Sequence, residues 1–163
     1  MSDWPVADRM LATRQGDMFF LDVATGALTA WLETPAFEDQ PKVSPDGEWV
    51  AYVSDVSGVP EIYVRRYGGA PPDILVSDGG GTDAVWSADG SEIFYRNGNA
   101  ILSVSMRTKP RFEVSGSPEL LFSGDYDFSN PRNWDVMPDG RFVMIRSSPG
   151  VRREIRILSG WLK

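Results

Sequence analysis

The sequence predicts an all-β chain, a β-propeller of four-stranded antiparallel blades with about four blades per chain. Three observations predict it: one turn motif recurs at blade spacing, short strands flank each copy, and almost no helical period is present. Val43-Ser44-Pro45-Asp46-Gly47-Glu48-Trp49-Val50-Ala51-Tyr52 lies without gaps over Trp86-Ser87-Ala88-Asp89-Gly90-Ser91-Glu92-Ile93-Phe94-Tyr95 and over Val136-Met137-Pro138-Asp139-Gly140-Arg141-Phe142-Val143-Met144-Ile145. An eroded copy fits at Trp4–Thr13, so the copies begin at 4, 43, 86 and 136, in steps of 39, 43 and 50 residues. A sandwich is the competing all-β reading, but nothing in a sandwich requires one turn to recur at this interval.

Each copy reads as strand, tight turn, strand: Pro45 or Pro138 presets φ, and Gly47, Gly90 or Gly140 supplies φ > 0. In the first unit the opening strand is short; strands follow at Met18–Val23 and, after the turn Ala24-Thr25-Gly26, at Ala27–Leu32. In the second, Trp49, Ala51 and Val53 alternate with Val50 and Tyr52, so both faces are apolar and a strand covered on both sides is expected. Glu61–Arg66 and Ile74–Val76 complete that unit, Ala100–Met106 and Leu120–Phe122 the third, and Glu154–Leu158 is the last strand readable in the fourth. The blades thus run at about 1–34, 35–78, 79–124 and 125–163 of one segment, 1–163. Trp4 aligns with Trp86 and Trp49 with Phe142, and large rings at equivalent positions are expected to fill the wedges between blades, as are Tyr52, Tyr63 and Tyr95. Trp31 and Trp134 flank loops and are not assigned by that rule.

Composition narrows the chemistry. The 163 residues contain neither histidine nor cysteine, which excludes imidazole bases, thiolate nucleophiles, disulfides and soft metal sites. Only carboxylates, lysine, tyrosine or hydroxyls remain for catalysis. With 23 acidic against 16 basic residues the net charge is -7, which repels a phosphate backbone, so no nucleic-acid partner is expected. No apolar run is long enough for a membrane helix, so no membrane insertion is expected. The start of the chain shows no signal-peptide pattern, which as written implies the cytoplasm, or the periplasm if the chain is part of a longer protein.

Ser44-Pro45-Asp46-Gly47-Glu48-Trp49-Val50-Ala51-Tyr52-Val53-Ser54-Asp55, with Glu61-Ile62-Tyr63-Val64 behind it, resembles the blade motif of TolB-like propellers. Ser77-Asp78-Gly79-Gly80-Gly81-Thr82-Asp83-Ala84-Val85-Trp86-Ser87 is similar to blade junctions of propellers fused to bacterial serine/threonine kinases. The resemblance implies a ring of blades about a channel, with proteins or peptides bound at one face; the namesake of the family is a periplasmic protein-binding component of the cell envelope. Such propellers usually have six blades or more. A four-blade array leaves apolar end faces that ring closure, a second copy or a longer chain would cover, and a homodimer is the expected solution. Met1–Pro5 is then a candidate for the outer strand missing from the last blade.

The implied function is a non-catalytic, protein- or peptide-binding scaffold; the alternative is the accessory propeller of a glycan-processing enzyme or peptidase whose catalytic domain lies elsewhere. No catalytic residue, metal or cofactor is expected. The candidate binding face comprises Asp39, Gln40, Asp55, Asp83, Arg96, Asp125, Asp127 and Asn133, all on loops or strand ends that share one side of the blades. Asp125 and Asp127 alone are too few oxygens for calcium. Gly79-Gly80-Gly81 looks superficially like an anion loop but lacks a following helix, which favours a flexible junction. Asp22/Asp39 and Asp83/Asp89 are the carboxylate pairs that glycoside chemistry would need, with nothing in their spacing to bring them together.

Overall fold

The recurring turn is the local event from which the sheets grow. In the computed structural model, which describes residues 8–69, 71–127, 133–146 and 154–159, the Ser44 hydroxyl donates to Asp46 Oδ1 at 2.6 Å and accepts the Trp49 N–H at 3.0 Å. Glu48 N–H reaches the same Asp46 oxygen at 3.1 Å. Ser87 and Asp89 repeat this: the hydroxyl donates to Asp89 Oδ1 at 2.8 Å and accepts the Glu92 N–H at 2.9 Å. Gly47, Gly90 and Gly140 take φ of 75°, 73° and 79°, the region where a Cβ would crowd its own backbone.

The fourth copy closes differently. Met137 has no hydroxyl, and its N–H bonds the Arg141 carbonyl at 2.8 Å, four residues on, whereas Ser44 N–H reaches five residues on to Trp49 at 2.8 Å. Val136 therefore pairs with Phe142, but Val43 pairs with Val50. The gapless alignment of Trp49 with Phe142 is corrected by one residue: the structural counterpart of Phe142 is Val50.

Four antiparallel meanders result. The first sheet is β1 (Arg9–Arg14), β2 (Asp17–Asp22) and β3 (Leu28–Leu32); the second is β4 (Glu38–Val43), β5 (Trp49–Ser54), β6 (Glu61–Arg66) and β7 (Ile74–Leu75). The third is β8 (Thr82–Trp86), β9 (Glu92–Asn97), β10 (Ala100–Arg107) and β11 (Glu113–Ser123); the fourth is β12 (Trp134–Val136), β13 (Phe142–Arg146) and β14 (Glu154–Leu158). The expected opening strand of the first unit, and Trp4 with it, lies outside the described residues. Leu120–Phe122 is the end of an eleven-residue strand, β11, rather than a short one. Gly116 and Pro118 concealed it, since both usually demote a strand. Register shifts against β10 between Ile101 and Leu102 and between Ser103 and Ser105 absorb the irregularity.

The chain divides into two compact units at Ala84/Val85, inside β8. In the first, Leu11, Met18, Trp31 and Leu32 of the first sheet form one core with Val50 and Tyr52 of the second. The Trp31 and Tyr52 rings meet edge to face, 5.8 Å between centroids. In the second, Phe94, Ile101 and Phe122 of the third sheet pack with Trp134, Phe142 and Met144 of the fourth, and Phe94 meets Phe142 edge to face at 5.2 Å. Each fully buried side chain of this size is worth about 1.5–3 kcal/mol. All six residues of β5 are buried, as the apolar character of both its faces requires. Trp31 and Trp134, left unassigned by the repeat, are core residues at 6% and 5% exposure.

Candidate functional site

Antiparallel order puts the start of β4, the end of β5 and the start of β6 at one end of the second sheet, and this end carries most of the first unit's candidate residues. Asp39 pairs across to Val53. Asp55, just past β5, accepts the Phe37 N–H on Oδ1 at 2.7 Å, and its own N–H reaches the Phe37 carbonyl at 3.3 Å. Glu38 N–H donates to Gly16 O at 2.8 Å, tying in the β1–β2 turn. Gln40 Oε1 accepts the Asp83 N–H at 2.7 Å, joining the openings of β4 and β8. Asp39, Gln40, Asp55 and Asp83 are thus brought together at one end of the second sheet and the start of β8.

Gln40 and Asp83 share an unusual backbone, with φ of 57° and 55°, and both stand three residues before the repeat positions Val43 and Trp86. A non-glycine residue in this region costs of order 1 kcal/mol or more, offset here by the hydrogen bond between them. Asn133 holds the same position in the fourth copy. It lies in the second unit with Asp127: Asp127 N–H donates to the Ile145 carbonyl at 2.8 Å, and Ile145 N–H to the Asn133 carbonyl at 3.1 Å. Both therefore bracket the end of β13. Asp125 is exposed in the loop before Tyr126; Arg96 is turned to the β9–β10 turn, donating to the Gly98 carbonyl at 3.1 Å. Asn133 is 9% exposed and its Nδ2 meets no partner among the described residues.

The glycine junction is better bonded than its sequence suggests. Gly80 N–H donates to Glu61 Oε1 at 2.9 Å and Gly81 N–H to the Pro60 carbonyl at 2.8 Å. Glu61 also accepts the Ser77 hydroxyl, which accepts the Ile62 N–H at 2.7 Å. A Cβ on Gly81 would come within 2.8 Å of Ser77 Cβ and 2.9 Å of Ile62 Cγ1. The expectation of a flexible junction is corrected: the loop does bind a carboxylate, through the Gly80 N–H, and the carboxylate is the chain's own Glu61.

Two features of this end were not expected from sequence. Phe37 is 54% exposed and Val56 is 65% exposed; apolar residues inside the loop segments Pro35-Ala36-Phe37 and Asp55-Val56-Ser57-Gly58 were the available signal. Glu38 is buried, which no local pattern announces. Its Oε1 accepts the hydroxyls of Thr34 at 2.5 Å and Ser54 at 3.3 Å, while Oε2 has no partner among the described residues. Burial raises its carboxyl above the usual range; the two hydroxyls oppose the shift, and the negative charges of Asp17 and Asp55 add to it.

Asp22 is occupied in its turn, accepting the Ala24 and Thr25 N–H groups at 3.1 and 2.7 Å, and Asp83 and Asp89 stand at opposite ends of β8. Tyr52 donates to Asp73 at 2.7 Å, and burial first, then that carboxylate, holds its phenol protonated far above its usual value. Among the described residues no three acidic side chains gather at the spacing of a metal centre, and no helix is long and apolar enough to cross a membrane.

No protein-family model matches the chain, and no curated protein matches it. Solved structures do. TolB from Acinetobacter baumannii superposes over 93% of this chain with a TM-score of 0.62 at 18% identity, covering 37% of that protein. Regucalcin, a calcium-binding protein from Agrobacterium tumefaciens, gives 0.64 at 14% identity over 88% of this chain and 51% of its own. Dipeptidyl peptidase 4 from Porphyromonas gingivalis gives 0.56 at 12% identity over 94% of this chain and 30% of its own. The chain therefore spans between about a third and a half of the length of the proteins it matches. At these identities the likeness establishes architecture, and the chain has the fold of a TolB-like β-propeller segment of about four blades.

Proposed function

We propose that this chain is a non-catalytic propeller scaffold that binds a protein or peptide at the loop end of its blades. The observation that carries the reading is the end of the second sheet, where acidic side chains and exposed Phe37 and Val56 stand on a backbone held by the Phe37–Asp55 and Gln40–Asp83 hydrogen bonds. Loops held by a rigid scaffold, with apolar groups left in water among charges, are what recognition surfaces are made of. A sequence without histidine or cysteine supports a role outside catalysis.

Capture of peptides from an immobilised dodecamer library tests this, run beside turnover assays on oligosaccharides and peptide amides. Peptide capture without turnover is the expected result; turnover by the purified chain would overturn it. The alternative, an accessory propeller of a peptidase or glycan-processing enzyme, draws support from the likeness to the P. gingivalis peptidase. It would require a catalytic domain beside these residues.

Self-association belongs to the same proposal. Ile155 and Ile157 of β14 are 73% and 55% exposed, and an apolar edge of this kind is normally covered. A dimeric mass by light scattering at micromolar concentration is expected, and a monomeric one would count against it.

A further inference from the structure

We propose that the end of the second sheet formed by Phe37, Val56 and the carboxylates of Asp17, Glu38 and Asp55 receives an arginine or lysine side chain from an extended, basic segment of a partner protein. Glu38 is 1% exposed, and while Oε1 is satisfied by Thr34 and Ser54, Oε2 is buried with no partner among the described residues. A buried carboxylate left half-paired is costly, and a cation relieves that cost. Asp17 and Asp55 add negative charge around it. The Asp55 carboxylate also fixes the Phe37 backbone at 2.7 Å, and the Phe37 ring rests against Gly16, where a Cβ would approach to 2.8 Å.

The occupant follows from this chemistry. Phe37, 54% exposed, offers a ring face for a guanidinium or for the methylene stem of a long cationic side chain, and Val56, 65% exposed, offers apolar contact to the residue beside it. Among the described residues no three acidic side chains gather at metal-ligand spacing, so a single organic cation fits the cluster better than a metal ion. The net charge of -7 draws a basic segment in from a distance. This inference rests on the peptide-binding reading above and gives it a site and a sign.

The test uses the full chain, ¹⁵N-labelled, with four synthetic pentapeptides: Arg-Leu-Arg-Leu-Arg, its lysine and glutamate counterparts, and one with citrulline, the neutral isostere of arginine. The arginine and lysine peptides are expected to bind by fluorescence anisotropy and to shift the amide signals of Gly16, Asp17, Phe37, Glu38, Asp55 and Val56. Glu38→Gln and Phe37→Ser, each checked for an unchanged circular dichroism spectrum, are expected to weaken binding by about ten-fold. Equal binding of the citrulline peptide, binding insensitive to both substitutions, or shifts confined to other loops would overturn the inference. If library peptides are captured independently of Phe37 and Glu38, the inference fails and the binding reading stands. If no library peptide is captured, the binding reading fails with it.

Discussion

The Gln40 side chain accepts the backbone N–H of Asp83 at 2.7 Å, and these two residues, placed identically in successive repeats, share the same left-handed backbone. The second and third repeats thus carry a strained residue at the start of their first strand, and in this pair the side chain of one secures the backbone of the next. Replacing Gln40 by Ala leaves the strain and removes the acceptor. The expected cost is about 1–3 kcal/mol of stability, the loss from a partly buried N–H left unpaired, read from the urea midpoint at unchanged m-value. A midpoint equal to that of the parent chain would show the bond to be ornamental.

Gly81 is required for space rather than for backbone freedom. Gly81→Ala presses a methyl against Ser77 Cβ and Ile62 Cγ1 at 2.8 and 2.9 Å, and both neighbours are buried. Overpacking of this kind costs about 1–3 kcal/mol. Differential scanning calorimetry should show a lowered Tm for Gly81→Ala and little change for Gly79→Ala, replaced where nothing lies within 4 Å, beyond the strain of its φ of 71°.

The serine of the repeated turn has a defined task where it is present. Ser44→Ala and Ser87→Ala each strip the acceptor from a backbone N–H, that of Trp49 or Glu92. A loss of about 1 kcal/mol or more is expected for each. Met137→Ala, in the copy that closes one residue earlier and uses no side-chain acceptor at that position, should leave the turn's hydrogen bonds intact. Amide hydrogen exchange at Trp49, Glu92 and Arg141 distinguishes the three: faster in the first two variants, unchanged in the last.

Glu38 gives the chain a pH dependence of definite sign. Its folded-state pKa is raised above the ordinary carboxylate value of about 4.3, so between that value and the raised one the native state keeps a proton the unfolded chain has released. The contribution is therefore full at low pH and lost as pH rises through this window. Glu38→Gln removes the dependence. Its stability relative to the parent should be more favourable at pH 7 than at pH 4 in urea titrations; an equal difference at both would mean that the buried carboxyl is not titrating.

Much of the molecule was legible without coordinates, and for a local reason. Pro, Asp and Gly act within a few residues, so the turns at Asp46, Asp89 and Asp139 and the hairpins they close follow from sequence spacing alone, as does the burial of Val50–Val53 from the apolar character of both strand faces. The candidate residues Asp39, Gln40, Asp55 and Asp83 could be assigned to one end of the strands because alternating strand direction decides ends without knowing contacts. What failed was register and everything set by non-local neighbours. One missing hydroxyl at Met137 shifted the pairing of Phe142, and two bulges let β11 run through Gly116 and Pro118.

By itself, then, the sequence determined that the chain is built of repeated antiparallel sheets and that imidazole and thiol chemistry are absent, since both depend on residue types and short-range geometry. Only the tertiary structure decided that Glu38 is buried with one oxygen unpartnered among the described residues, that Phe37 stands exposed beside it, and that the Gly80 loop folds onto Glu61. The reason is physical: desolvation and hydrogen-bond satisfaction are properties of a place in space, set by residues distant in the chain, and no spacing along the chain encodes them.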